Sequence, residues 1–140
     1  MTATPLVIDA SVAISWLYPS QTTENTELLK EDLRLGASYC APDVLRHEVA
    51  YVLWRDVKRQ YLGSTDALKL WKILLDLPIQ YRKSTAQNYS GLLALGLKHT
   101  VSTYDAAYIQ LAEETGAVLA TRDKAMERAA KHIGIDTFLC

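Results

Sequence analysis

The sequence predicts an α/β fold, a three-layer α/β/α sandwich on a short, mostly parallel sheet. Two patterns carry this prediction. Short apolar runs such as Leu6-Val7-Ile8 and Ala117-Val118-Leu119-Ala120 alternate with longer stretches of helical periodicity, the order of a parallel sheet with helical crossovers. Acidic residues also stand just beyond several of the runs, where an open parallel sheet gathers its ligands.

Taken in order, Leu6-Val7-Ile8 is a buried strand ended by Asp9. Helices follow over 10–18 and about 22–35, separated by Pro19, and Gly36 stops the second. Ser38-Tyr39-Cys40-Ala41 reads as a strand, and Pro42-Asp43 opens a long helix to about Tyr61. Gly63-Ser64 restarts a helix that ends before Pro78. Ile79-Gln80-Tyr81 is a short strand, followed by a helix over about 85–98. Ser102 is placed to cap a helix that closes at Gly116, since serine accepts from an orphan N–H and glycine adopts the left-handed turn. Ala117–Ala120 is another buried strand, 122–133 a helix closed by Gly134, and Thr137-Phe138-Leu139 a final edge strand. No repeat, low-complexity tract or linker interrupts the pattern, so 1–140 reads as a single domain.

With 140 residues, 49% hydrophobic and 22% charged, the chain has the composition of a globular protein with a proper core. No apolar run is long enough to cross a membrane, and Met1–Pro5 lacks the basic region of a signal peptide. Cys40 and Cys140 form neither a metal-binding spacing nor a disulfide framework. A reducing cytoplasm is the expected location. Net charge is −1, which by itself does not favour a nucleic-acid partner. Setting aside four acids as metal ligands turns that −1 into +3 for the remaining residues, which permits a polyanionic substrate.

Those four are Asp9, Glu48, Asp105 and Asp123. Each has an ordinary alternative. Asp9 fits a helix N-cap, Asp105 a Ser-x-x-Asp capping box begun by Ser102, and Asp123 the favourable start of a helix dipole. Glu48 is different. It falls inside the stripe of Val44, Leu45, Val49, Val52 and Leu53, where an ionised carboxylate needs a cation or a strong donor. A buried arginine partner is the alternative there. Four hard oxygen donors without a Cys or His cluster suit Mg²⁺ or Mn²⁺ rather than zinc. His47, His99 and His132 read as surface or capping residues.

Four segments give a further resemblance: Val7-Ile8-Asp9-Ala10-Ser11-Val12-Ala13, Ala41-Pro42-Asp43 leading into His47-Glu48-Val49-Ala50, Tyr104-Asp105-Ala106-Ala107-Tyr108, and Leu119-Ala120-Thr121-Arg122-Asp123. In this order and spacing the chain resembles the PIN domain, specifically the VapC-type toxins of prokaryotic type II toxin–antitoxin pairs. The resemblance implies a PIN-like sandwich and an endoribonuclease that hydrolyses RNA with metal-activated water, leaving 5′-phosphate and 3′-hydroxyl ends. It makes Asp9, Glu48, Asp105 and Asp123 the catalytic and metal-binding quartet, with Ser11 and Thr121 as supporting contacts. It also implies Mg²⁺ or Mn²⁺ as cofactor, an antitoxin partner and a homodimer. Arg122 and Lys124 flank Asp123 and are candidates to hold RNA phosphates.

On the long helix, His47, Tyr51, Trp54 and Tyr61 share a side, either as core or as a subunit interface, and Trp16 and Tyr18 are candidates for the same interface. Two other functions compete. An Asp-nucleophile phosphotransferase would use Asp9, but Ser11 stands where such enzymes usually place a second Asp. A catalytically silent binding or scaffold protein would retain the fold without using the quartet.

Overall fold

A computed structural model describes residues 5–140; the leader reading rests mostly on residues outside that range. The elements are β1 (Leu6–Ile8), α1 (Ala10–Leu17), a 3-10 turn (Pro19–Gln21), α2 (Glu24–Arg34), β2 (Tyr39–Pro42), α3 (Val44–Lys58), α4 (Ser64–Asp76), β3 (Ile79–Arg82), α5 (Ala86–His99), α6 (Thr103–Thr115), β4 (Val118–Thr121), α7 (Lys124–Ile133) and β5 (Thr137–Leu139).

The five strands form one sheet in the order β3-β2-β1-β4-β5, and every pairing is parallel. Leu6 faces Tyr39 on one side and Val118 on the other. Chain order reverses at β1, which has β2 on one flank and β4 on the other, and a crevice opens beyond the carboxyl ends of the strands at such a point. Val7, Ile8, Leu119 and Ala120 are fully buried, as expected of strands covered on both faces by helices.

α6 packs against β1, β2 and β4. Its residues from Ala106 through Ala112 are all buried, so the helix has no polar face to give it a strong period. Its caps mark it instead. The Ser102 hydroxyl accepts the Asp105 N–H at 3.0 Å, and Gly116 closes it with φ +66°. α5 lies close alongside, and a Cβ on Gly96 would stand 2.9 Å from the Val101 carbonyl oxygen.

Three expectations are corrected. The long helix begins at Val44, because Pro42 remains in β2 opposite Arg82. It ends at Lys58, because Gln60 takes a left-handed φ of +63°. There Gln60 N–H bonds to Val57 O and Tyr61 N–H to Asp56 O, a Schellman ending made with glutamine where glycine is usual. Trp16 lies in the core and not on the surface where an interface would place it. Trp16 is buried, stacks on Tyr39 at 6.5 Å and donates Nε1–H to Thr26 O at 2.8 Å. Tyr18 is half-buried and donates to Asp56 Oδ2 at 2.7 Å. Tyr51, Trp54 and Tyr61 are exposed, which removes the core reading for that side of α3. Among the described residues no helix is long and apolar enough to cross a membrane.

Candidate active site

The sheet reversal brings the β1–α1 and β4–α7 junctions together, and hydroxyl groups lace them. Asp9, only 3% exposed, is the anchor. Its Oδ1 accepts the Ser11 hydroxyl at 2.6 Å and the Val12 N–H at 3.1 Å, while Oδ2 accepts the Thr121 hydroxyl. Thr121 Oγ1 in turn accepts the Asp123 N–H at 3.0 Å, and Ser11 Oγ accepts the Arg122 N–H at 3.0 Å. Ser11 and Thr121 therefore support the first acid and fix the backbone entering the last.

The other acids rise from this floor to the rim. Glu48 on α3 and Asp105 on α6 are half-buried, and Asp123 is exposed. Asp123 Oδ1 accepts the Ala125 and Met126 N–H groups at 2.8 and 3.3 Å, and Asp9 likewise caps α1. The N-cap reading of Asp9 and the helix-start reading of Asp123 both hold, and they are compatible with a site because each carboxylate has further lone pairs. Glu48 lies at the edge of its stripe, not the centre, since Val44 and Val52 are themselves half-buried. The alternative buried arginine is not its partner. Instead Glu48 Oε1 accepts the Tyr108 hydroxyl at 2.8 Å.

Electrostatics ties the quartet together. Burial raises the Asp9 carboxyl above its ordinary range against the hydrogen bonds from Ser11, Thr121 and Val12, and Asp123 raises it further. Burial likewise raises Glu48, with Asp9 and Asp105 adding to the shift. Asp105 is raised by burial and then by Asp123 and Asp9. Among the described residues, none of the four is in an ion pair. Nor do any three His, Cys, Asp or Glu side chains stand close enough to form a ready-made metal cage. The four acids are hard oxygen donors linked by repulsion rather than a closed cage, and donors of this type suit Mg²⁺ or Mn²⁺ better than zinc.

Glu48 and Asp105 line a crevice of about 510 Å³ together with His47, Tyr51 and Tyr104. A larger groove of about 700 Å³ adjoins it, shares His47 and Tyr104, and includes Lys83 and Tyr89. The larger groove is lined by none of the quartet, and the smaller one by Glu48 and Asp105 but not by Asp9 or Asp123. Arg122 is half-buried and donates Nη1–H to Gln21 Oε1 at 3.1 Å, while Lys124 is exposed.

Sequence reasoning missed Tyr108 and the position of His47 beside Glu48. Tyr108 follows Asp105 by three residues, so both lie on one helix face, and that spacing was the available signal. His47 is exposed, as its surface reading expects, and it lines both grooves.

Comparisons with known proteins agree with this architecture. The family model described as PIN domain matches residues 6–132. Ribonuclease VapC3 of Pyrobaculum aerophilum is 32% identical over 123 residues, covering 85% of this chain and 89% of the relative. Among solved structures, PAE2754 from Pyrobaculum aerophilum superposes with a TM-score of 0.74 at 17% identity, over 96% of this chain and 83% of that one. VapBC2 from Rickettsia felis, bound to a DNA fragment from its promoter, gives 0.70 at 12% identity over 96% and 98%. FitAcB from Neisseria gonorrhoeae gives 0.66 at 19% identity over 95% and 96%. These structures show the fold, and the family match and the identity to the ribonuclease show the lineage: the chain belongs to the PIN domain family.

Proposed function

We propose that this chain is a Mg²⁺- or Mn²⁺-dependent endoribonuclease, the toxin of a toxin–antitoxin pair. The observation that carries the reading is Asp9, buried at the sheet reversal, held by three donors and surrounded by other carboxylates rather than by a basic partner. A site that concentrates uncompensated negative charge around one rigid acid is suited to a hard dication. Likeness to a protein named a ribonuclease supports RNA as the substrate class.

The residues divide the work by their environments. Asp9 has both oxygens engaged and a fixed rotamer, so it serves as the rigid ligand. Glu48 and Asp123 supply further carboxylate ligands. Asp105, half-buried at the crevice, is a ligand as well and also orients the attacking water or accepts its proton. When bound, Mg²⁺ or Mn²⁺ supplies charge stabilisation at the phosphate and acidifies water. Lys124 at the rim takes a neighbouring RNA phosphate. Arg122 contributes there only by exchanging its Gln21 contact.

The exposed Tyr51 and Trp54, with ring centroids 5.9 Å apart, supply an apolar face for a homodimer. The fold likeness to VapBC2 supports an antitoxin partner, and a cytoplasmic location is part of the same proposal.

The test is digestion of total RNA with Mn²⁺, with the new ends mapped. The expected result is 5′-phosphate and 3′-hydroxyl ends that vanish with chelator and in Asp9→Asn. Cleavage that persists in chelator, or cyclic phosphate ends, would refute the mechanism. No cleavage of any RNA by the wild type would favour the silent scaffold instead.

A further inference from the structure

We propose that Tyr108 is a positioning residue of the carboxylate site, holding Glu48 inward through its hydroxyl group. This rests on the metal-site reading above. Tyr108 is 1% exposed, so packing fixes its ring. Its hydroxyl donates to Glu48 Oε1 at 2.8 Å, linking α6 to α3 across sixty residues of sequence. Because Asp105 lies three residues earlier on α6, one rigid helix carries one site carboxylate and the clamp on another.

A buried tyrosine hydroxyl needs some acceptor, and a backbone carbonyl suffices. Tyr39 shows this: equally buried, it donates to Leu29 O at 2.9 Å. Tyr108 instead uses a half-buried carboxylate that faces the crevice. Asp9 and Asp105 both repel Glu48, and its flexible side chain has solvent within reach. Repulsion and rotamer entropy therefore favour the outward conformer. Among the described residues, the Tyr108 hydroxyl makes the hydrogen bond that opposes this. Outer contacts of this kind orient ligands and typically change metal affinity 10–100-fold.

Calorimetric titration with Mn²⁺ alone tests the role in wild type, Tyr108→Phe, Tyr39→Phe, Glu48→Ala and the Tyr108→Phe/Glu48→Ala double variant. Tyr108→Phe keeps the ring and should weaken Mn²⁺ binding about 10–100-fold. Tyr39→Phe, which loses an equally buried hydroxyl elsewhere, should bind as wild type does. The double variant should bind no more weakly than Glu48→Ala alone, because the hydroxyl acts through Glu48. Wild-type affinity in Tyr108→Phe would overturn the proposal and leave the metal site standing. So would equal weakening in Tyr39→Phe, or a loss in the double variant beyond that of Glu48→Ala. No Mn²⁺ binding in wild type would remove both readings. A second measurement uses the unaltered protein. By NMR, adding Mg²⁺ should shift the Tyr108 hydroxyl proton and leave that of Tyr39 in place. A Tyr108 signal indifferent to Mg²⁺ in protein that binds it would overturn the proposal whether or not Tyr108→Phe folds.

Discussion

Thr121→Val removes one hydroxyl at constant side-chain volume and tests the lacing of the site. Thr121 is fully buried at the end of β4, where valine has the same branching and suits the strand. Two hydrogen bonds are lost. Asp9 Oδ2 loses its donor, and the Asp123 N–H loses its 3.0 Å acceptor. A hydrogen bond to a charged group contributes about 1.5–3 kcal/mol, and a buried group left unpaired costs about 1–3 kcal/mol. Because Asp123 is exposed and water can reach its neighbourhood, the lower part of that combined range applies, about 2.5–4 kcal/mol. For a domain of this length each kcal/mol corresponds to about 3 °C, so the metal-free protein should melt about 7–12 °C lower. Thr121→Ser keeps both hydrogen bonds, loses a methyl group and should cost about 1 kcal/mol. Metal-free thermal and urea melts of the three proteins decide the matter. Thr121→Val as stable as wild type, or less damaging than Thr121→Ser, would show that the hydroxyl does not hold the two junctions together.

The same geometry predicts two further outcomes. Glu48→Gln retains an acceptor for Tyr108 and removes a charge that burial, Asp9 and Asp105 all disfavour. With the folded pKa above 4.5, the unfolded wild type ionises first as pH rises. The stabilisation from a protonated Glu48 is fully present below the unfolded value and is lost as pH rises through the folded one. The urea-midpoint advantage of metal-free Glu48→Gln over wild type should therefore grow as pH rises above the ordinary glutamate value; a gap that shrinks would contradict the assigned shift. Trp16→Ala should cost about 3–5 kcal/mol because Trp16 is stacked and hydrogen-bonded in the core. Trp54→Ala on the exposed face should stay within about 0.5 kcal/mol in dilute solution, and equal melting losses would refute the division into core and surface.

How far the sequence revealed this molecule depended on whether the deciding contact was local. α6 was legible despite being buried on all sides, because Ser102 and Gly116 mark its ends. The end of α3 was not, because Gln60 occupies a left-handed position where the sequence carries no glycine. Trp16 was misread for a different reason. α1 is short and largely buried, and only the fold shows that Thr26 and Tyr39 cover it.

The site divides along the same line. Asp9, Asp105 and Asp123 were visible from their junctions, and Glu48 from its cost within an apolar stripe. That cost was real, but its answer was a tyrosine sixty residues away, which no period within α3 could identify. Nor could spacing disclose the gradient from buried Asp9 to exposed Asp123, because the sheet reversal and the packing of α6 create it.

The most direct measurement of the central claim is the melting temperature of wild type and Asp105→Asn, each with and without Mn²⁺. At about 100 times Kd, a single site stabilises the folded state by about 2.7 kcal/mol, or about 8 °C for this length. The account predicts that shift in wild type and its near-complete loss in Asp105→Asn. Because Asp123 and Asp9 no longer repel a charge at that position, Asp105→Asn should melt at or above wild type without metal. No shift in either protein, or the same shift in both, would mean that these four acids do not share a metal.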